Sequence, residues 1–199
     1  MKVLVASSNR GKISEIIQIL SNIGITVLTP EDINLQLEVE ETADTFEANA
    51  VAKAIAWFHA SGIPSLADDS GLCVDALRGK PGVHTARFAG KVANDKENYE
   101  LLLKLMQGVT DREAHFECAV ALALSRETVI TATGRCYGII LHKPMGKGGF
   151  GYDPIFLDPE TNKSFAQLTD EEKNIRSHRS RALQALRQKL LEHGFIHPD

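Results

Sequence analysis

The sequence has few cysteines and no long apolar run. Its three cysteines, Cys73, Cys118 and Cys136, lie far apart and form no CxxC pair. An odd, widely spaced set argues against a disulfide framework and a zinc site, and it is typical of a reducing compartment. No segment approaches the ~20 apolar residues that a membrane span needs. The opening run Met1–Ala6 is too short for a signal peptide. We therefore expect a cytoplasmic protein that does not associate with membranes.

A strong charge of one sign is also missing, since 22 lysines and arginines face 26 aspartates and glutamates, for a net charge of −4. This balance argues against a broad basic face that holds nucleic acid, although a few local cations could still bind a small anion. Hydrophobic residues make up 43% of the chain, which is enough for a sizeable core. No repeat, low-complexity tract or linker interrupts the sequence, so we predict a single domain over 1–199.

Apolar periodicity predicts strands that alternate with helices. A short buried strand at Lys2–Ala6 precedes a helix whose apolar residues recur at i, i+3, i+4 and i+7, from Ile13 to Leu20. This order is typical of an α/β protein. Asp44 and Glu47 have the spacing of a capping box. The other predicted elements are strands at Thr26–Leu28 and Pro64–Ala67, helices at Thr45–Ala60, Asp95–Met106 and Ser177–His193, a short helix capped by Thr169, and a hairpin of Ala114–Ser125 with Thr128–Ile140.

The polar loop Ser7-Ser8-Asn9-Arg10-Gly11-Lys12 separates the first strand from the first helix. Backbone N–H groups at a helix N-terminus, with a lysine beside them, suit a phosphate group. The loop is not a Walker A motif, which has a different spacing of glycine and lysine. Serine and asparagine are also common N-caps, and the local sequence alone favours an ordinary cap followed by a surface lysine.

Two adjacent carboxylates, Asp68 and Asp69, are predicted to end the short strand before Ser70 and Gly71. Mg²⁺ takes oxygen ligands, commonly one or two carboxylates together with substrate phosphates. The pair Glu40-Glu41 could add a ligand, and a carboxylate nearby could accept a proton from an attacking water. A solvated acidic turn explains Asp68-Asp69-Ser70-Gly71 equally well.

Further candidates lie on a helix and in a glycine-rich loop. Asn49 and Lys53 share one helix face, which by itself favours a solvent-facing polar stripe. The run from Gly146 to Gly151 matches GxGxxG, but Asp153-Pro154 follows where a dinucleotide-binding helix should begin, so we reject that interpretation. Its aromatic residues, Phe150 and Tyr152, could stack on a flat ligand or merely cover the core.

Cations cluster near the predicted last helix, at Lys173 and Ser177-His178-Arg179-Ser180-Arg181. Positive charge at a helix start opposes the helix dipole, so an anionic or hydrogen-bonding ligand would account for it. The alternative is a solvated face on which Lys173 and Arg179 pair with neighbouring acids. A phosphate loop, paired acids, aromatic side chains and added cations together fit phosphoryl chemistry on a nucleotide.

The sequence resembles the inosine triphosphate pyrophosphatase family over nearly its full length. The matching segments are specific in their order and spacing. They are Ser7–Lys12, Glu40-Glu41-Thr42 with Thr45-Phe46 and Asn49-Ala50, Ala67–Leu72, Pro81-Gly82 with Ala86-Arg87, Gly148–Pro154, Glu172-Lys173, and Ser177–Arg179.

The resemblance implies an α/β fold with a long twisted mixed β-sheet flanked by helices, two lobes around a central cleft, and a homodimer. It also implies Mg²⁺-dependent hydrolysis of ITP, dITP and XTP to monophosphate and pyrophosphate. Asp69 would accept the proton and bind metal, assisted by one of Glu40 and Glu41, with Asp68 as a further candidate ligand. The implied substrate-binding residues are Ser7, Ser8, Asn9, Arg10, Gly11, Lys12, Lys53, Ser70, Phe150, Gly151, Tyr152, Asp153, Lys173, His178 and Arg179.

Two positions depart from the family pattern: Ser7 stands where threonine is common, and Ala48 stands where many members carry glutamate. The first keeps the hydroxyl and the second loses an acid. A pyrophosphatase acting on ordinary or modified pyrimidine triphosphates would use the same phosphate-binding residues. A nucleotide-binding regulator would not need Asp68-Asp69, and an interaction scaffold would leave all these polar sites unexplained.

Overall fold

The computed structural model describes residues 1–7, 9–21 and 25–196. The helices of these residues are α1 (Arg10–Ser21), α2 (Phe46–Ser61), α3 (Asp95–Leu105), α4 (Asp170–Arg176) and α5 (His178–Glu192). The strands are β1 (Lys2–Val5), β2 (Thr26–Leu28), β3 (Ser65–Val74), β4 (Glu113–Ala123), β5 (Val129–Ile140), β6 (Phe156–Asp158) and β7 (Lys163–Ser164). No helix within these ranges is both long enough and apolar enough to cross a membrane.

The strands form one mixed sheet in the order β2-β1-β3-β4-β5-β6-β7. Strand β1 pairs in parallel with β2, where Val3 lies opposite Val27, and with β3. At the other edge, β6 pairs antiparallel with β5 and with β7. The predicted strand pair β4 and β5 is adjacent in the sheet, joined by a turn in which the Leu124 N–H donates to the Thr128 carbonyl. The predicted α/β class with a mixed sheet and flanking helices is confirmed.

The chain divides into two compact units. The first unit comprises Met1–Asp69, Cys118–Gly134 and the chain from His178 onward, and the second comprises Ser70–Glu117 and Arg135–Ser177. Strands β3, β4 and β5 therefore contribute residues to both units. A single domain over 1–199 stays a prediction.

The core of the first unit joins the inner faces of α1 and α5 to β1 and β4. Ile16 and Leu20 are buried, as the apolar stripe of α1 predicts. A methyl group on Gly134 of β5 would collide with the backbone of α5 at His178 and Ala182. Glycine at this position therefore lets the first turn of α5 lie directly against the strand, and that turn carries His178 and Arg179.

The second unit has an aromatic core around β4 and β6. The ring of Phe156 lies 4.6 Å from that of Phe116 and 4.9 Å from that of Phe165, measured between centroids. Leu102 of α3 is fully buried beside this cluster, but Leu105, near the end of the same helix, is about half exposed.

The start of α2 differs from the prediction by one residue. Thr45, in an extended conformation, is the N-cap, and its side chain accepts a hydrogen bond from the Ala48 N–H. The predicted capping box of Asp44 and Glu47 is therefore wrong, and the Glu47 carboxylate instead accepts a hydrogen bond from the Thr131 hydroxyl. The reciprocal capping box predicted at Thr169 is confirmed, with Glu172 as its other member.

Candidate active site

Strand β3 carries both aspartates in its interior, which corrects the prediction that they end a short strand. The strand runs over Ser65–Val74, and all of its residues are buried. Its second half continues into the core of the second unit through Leu72 and Val74, so Ser70-Gly71 forms no turn. Because successive side chains of a strand point to opposite sides, Asp68 and Asp69 face different surroundings.

Asp68 lies in a cluster of cations. Its Oδ2 accepts hydrogen bonds from Lys12 Nζ at 3.1 Å and from Arg179 Nη2 at 3.2 Å. Burial alone would raise the pKa of Asp68, but Lys12, Arg179 and Lys53 outweigh burial and hold this pKa well below its usual range. Asp68 therefore stays ionised and ties together β3, α1 and α5.

Arg179 is the centre of this cluster. One interpretation of the sequence places it on a solvated face. Its side chain is only 1% exposed, and its guanidinium donates to Asp68 and to Glu15. Burial opposes its charged form, yet Asp68 and Glu15 raise its pKa above the ordinary value. The pairing with acids is observed, whereas the solvated face is wrong. The sequence did not predict Glu15 as a site residue. The signal that could have indicated it is its position beside the buried Ile16 of α1, where an acid is unusual.

Asp69 lies on the other side of β3 and contacts Asn49 of α2. The Asn49 Nδ2 donates to Asp69 Oδ2 at 2.9 Å. The same amide accepts from the Ala43 N–H at 2.9 Å and donates to the Ala43 carbonyl at 3.3 Å. Asn49 is 2% exposed, so the predicted solvent-facing stripe is wrong at this position. Burial, followed by the charge of Glu41, raises the pKa of Asp69.

Lys53 follows Asn49 by one helical turn and lies near the charges of Asp68, Glu41 and Asp69. Its ammonium forms an ion pair with Glu41 and donates to the Asp68 carbonyl at 2.6 Å. Burial would lower the pKa of Lys53, but Asp68, Glu41 and Asp69 outweigh burial and raise it. Glu40 is exposed, so Glu41 is the member of the acidic pair whose charge acts on Asp69.

Glu41 and Asp69 are oxygen donors of the kind that suits Mg²⁺ when phosphate oxygens of a substrate complete its coordination. Within residues 1–7, 9–21 and 25–196, no group of at least three histidine, cysteine, aspartate or glutamate side chains is arranged to hold a metal. Mg²⁺ commonly uses one or two protein carboxylates and fills its other positions with water and phosphate oxygens. The repulsion between Glu41 and Asp69, which contributes to the raised pKa of Asp69, is the kind of charge imbalance that a divalent cation relieves.

The polar loop before α1 has the geometry of a helix cap. The side chain of Asn9 accepts from the Lys12 N–H at 3.1 Å, and the Ser7 hydroxyl accepts from the Asn9 N–H at 3.2 Å. The expected N-cap is thus observed, while Lys12 is paired with Asp68 and is not a simple surface lysine. Ser8 and the side chain of Arg10 lie outside the described residues. Gly11 lies in the first turn of α1.

In the second unit, Phe150, Asp153 and Lys173 come together. Asp153 Oδ2 accepts from the Phe150 N–H at 2.9 Å and from Lys173 Nζ at 2.8 Å. The same ammonium lies 4.4 Å from the centroid of the Phe150 ring, a cation–π contact. Lys173 is 6% exposed, so a solvated face is wrong here too, and its pairing with an acid is observed. A methyl group on Gly149, whose φ is +70°, would collide with Asp153.

The other aromatic residue of this loop belongs to the core. Tyr152 is buried in the core of the second unit, and its hydroxyl donates to the Thr85 carbonyl at 2.9 Å. Burial raises its pKa. The Gly151 N–H donates to Asp95 at 2.7 Å. Thr85 and Asp95 therefore fix the loop, and no local sequence pattern indicates either contact because both residues lie far from the loop along the chain.

The remaining predicted residues lie beside these groups. Ser70 follows Asp69 in β3 and is buried in the second unit, and His178 is the buried first residue of α5 in the first unit.

Comparisons with known proteins match this chain over nearly its full length. The model of the Ham1 family matches residues 3–189. The chain belongs to the Ham1 family. It is 43% identical over 201 residues to a dITP/XTP pyrophosphatase of Desulforamulus reducens, covering 100% of both chains. It is 45% identical to a dITP/XTP pyrophosphatase of Geobacter sulfurreducens, covering 95% of this chain and 96% of the relative.

Solved structures of family members have the same fold. The Ham1 protein of Staphylococcus aureus superimposes with a TM-score of 0.86 at 37% identity, covering 97% of this chain and 100% of that one. The family resemblance recognised from the sequence motifs is confirmed. Its members include enzymes that are named for their action on purine triphosphates with an altered base.

Proposed function

We infer that this protein is a hydrolase that cleaves the non-canonical purine nucleoside triphosphates dITP, ITP and XTP to monophosphate and pyrophosphate. The observation that carries this conclusion is full-length similarity to relatives named dITP/XTP pyrophosphatase, at 43% and 45% identity. The acids and cations around β3 are the groups that such a reaction needs. This activity would remove deaminated purines from the nucleotide pool.

Asp69 is the proposed proton acceptor for the attacking water. A carboxylate whose pKa is raised is a stronger base than an ordinary aspartate. The hydrogen bond from Asn49 holds one of its oxygens, Oδ2. This orients the carboxylate toward the attacking water, whose oxygen bonds to the α-phosphorus as the bond to pyrophosphate breaks.

Asp69 and Glu41 are the proposed Mg²⁺ ligands. When bound, Mg²⁺ would polarise phosphate oxygens and offset the charge of the leaving pyrophosphate. Of the wider predicted set, Asp68 is engaged by Lys12 and Arg179, and Glu40 is exposed. We therefore assign Asp68 to positioning those cations and leave Glu40 outside the metal site.

The residues proposed to bind the triphosphate are Ser7, Ser8, Asn9, Arg10, Gly11, Lys12 and Lys53. The first turn of α1 presents backbone N–H groups, and two lysines in the same unit supply positive charge. Lys12 would shift part of its interaction from Asp68 to phosphate, which its flexible stem permits.

The residues proposed to hold the nucleoside are Ser70, Phe150, Gly151, Tyr152, Asp153, Lys173, His178 and Arg179. Phe150 would stack on the base, Lys173 would donate to the 6-oxo group, and Asp153 would orient both residues. Tyr152 and Arg179 are buried and would act by holding their neighbours. Adenine carries an amino group at that position and would leave the donor unpaired, which can reduce kcat/KM by ~10⁴-fold.

The test is pyrophosphate release from ITP, XTP, GTP, ATP and UTP, each with and without Mg²⁺. We expect rapid Mg²⁺-dependent release from ITP and XTP and slow release from the others. Preferential release from UTP or a modified pyrimidine would support the pyrimidine alternative. A nucleotide that binds and survives with Mg²⁺ present would support a regulator. The homodimer, the cytoplasmic location, the single domain and the absence of nucleic-acid binding remain predictions.

A further inference from the structure

Lys53 lies among the acids assigned to the metal. Its side chain is 12% exposed, which is little for a lysine, and it pairs with Glu41. The donation to the Asp68 carbonyl, at 2.6 Å, holds the ammonium beside β3. The lysine is therefore anchored at two points within the acidic cluster and does not extend toward solvent.

The charges around Lys53 divide between the two sides of β3. Asp68 is matched by Lys12 and Arg179 on its own side. On the other side, Glu41 and Asp69 repel each other, and the positive charge of Lys53 acts on both of them as well as on Asp68. A lone ammonium carries the same sign as a divalent cation and half its charge, so the two compete for Glu41.

We propose that Lys53 is an internal counter-ion that occupies Glu41 in the metal-free protein, and that a divalent cation displaces it toward the substrate phosphates. This inference rests on the proposed function. It adds that the positive charge of Lys53 has two partners in turn. It balances the charges of Glu41 and Asp69 before metal and nucleotide bind, and the charge of the phosphates afterwards. A compact charge on a flexible four-carbon stem can make such an exchange.

The exchange makes metal and nucleotide binding cooperative. Without nucleotide, the metal must break the Glu41–Lys53 pair, so its affinity for the protein is low. With nucleotide, the released ammonium gains a phosphate partner, which offsets that cost. Each ligand therefore strengthens the binding of the other, as linkage requires.

The experiment measures Mn²⁺ binding to the nucleotide-free protein, from the electron paramagnetic resonance signal of free Mn²⁺. Lys53→Met removes the competing charge and should tighten Mn²⁺ binding by about tenfold. Lys12→Met is the matched control, because it also removes one lysine charge from the same unit, but this lysine pairs with Asp68 and not with Glu41. We expect Lys12→Met to change the Mn²⁺ affinity by less than about twofold. Lys53→Arg keeps the ion pair and should bind Mn²⁺ like the wild type.

A second readout covers the fold of the variants. In EDTA, Lys53→Met should melt below the wild type because Glu41 and Asp69 lose their counter-ion, and added Mn²⁺ should raise its melting temperature more than it raises that of the wild type. Lys53→Gln, which keeps a polar end, should show the same difference and serves if the methionine variant fails to fold.

The outcomes separate this inference from the proposed function. Equal Mn²⁺ affinity in the wild type and Lys53→Met, with activity of the wild type on ITP intact, would overturn the counter-ion role and leave the function standing. Weaker binding in Lys53→Met would also overturn it. Absence of Mn²⁺ binding in every variant, even with a non-hydrolysable ITP analogue, would overturn the assignment of Glu41 and Asp69 and the counter-ion role with it.

Discussion

Asp68 and Asp69 are neighbours on one strand, yet their surroundings shift their pKa values in opposite directions. Asp68 faces Lys12 and Arg179, and its pKa is depressed despite burial. Asp69 faces the Asn49 amide, which lowers its pKa, but burial and then the charge of Glu41 outweigh the amide and raise it. The first arrangement keeps a charge permanently in place, and the second leaves a carboxylate ready to take a proton. Identical side chains acquire different pKa values because the pleat of β3 exposes them to different helices.

The largest expected effect is on turnover and concerns the Asp69 side. Asp69→Asn should lower kcat for ITP by about 10²–10⁴-fold, because the amide cannot accept the proton. Pyrophosphate release under saturating ITP and Mg²⁺ is the measurement. If the variant still binds nucleotide, the loss is in turnover and not in substrate binding. Near-normal turnover would assign the proton to another group.

The next effect is on stability and concerns the Asp68 side. Asp68→Asn should lower the free energy of unfolding by about 3–5 kcal/mol, because it removes the buried anion that Lys12 and Arg179 share. Urea denaturation followed by circular dichroism measures it, with the exposed Asp44→Asn as control. If Asp68→Asn and Asp44→Asn unfold alike, the cation cluster does not stabilise the fold and the comparison fails.

The pH dependence of stability should separate the two sides in metal-free buffer. The folded-state pKa of Asp68 lies below the ordinary 3.8, so its stabilisation is complete above that value and is lost as the pH falls through the lower one. The folded-state pKa of Asp69 lies above 3.8, so the folded protein holds the extra proton and stability declines as the pH rises through that window.

Unfolding free energies of the wild type, Asp68→Asn and Asp69→Asn across the acidic range test this. The penalty of Asp68→Asn should shrink toward low pH, and Asp69→Asn should gain on the wild type as the pH approaches neutrality. Parallel profiles for all three proteins would show that the two carboxylates do not differ.

The smallest effect concerns the helix that supplies the Asp69 side with Asn49 and Lys53. Thr45→Ala removes the N-cap of α2 and should cost about 1 kcal/mol of unfolding free energy. Asp44→Ala should cost nothing measurable, since Asp44 does not cap the helix. Thermal denaturation of both variants gives the difference, and a larger cost for Asp44→Ala would restore the capping box predicted from the sequence.

The sequence by itself determined the class of fold, the family, the groups of polar residues, and the order of strands and helices apart from β6 and β7. Apolar periodicity and capping residues act over a few positions, so α1, the Thr169 cap and the strands β4 and β5 follow from local patterns. The failure of Gly146–Gly151 to begin a helix was equally readable, because Asp153-Pro154 is a local signal.

Only the tertiary structure decided the surroundings of each carboxylate. Strand β3 continues past Gly71 because Leu72 and Val74 enter a core built by distant segments, and this places Asp68 and Asp69 on opposite sides. Glu15 and Arg179 are 164 positions apart and meet because helices α1 and α5 pack in one unit. Burial and long-range charge set the pKa of each group, and neither is encoded in the residues next to it along the chain.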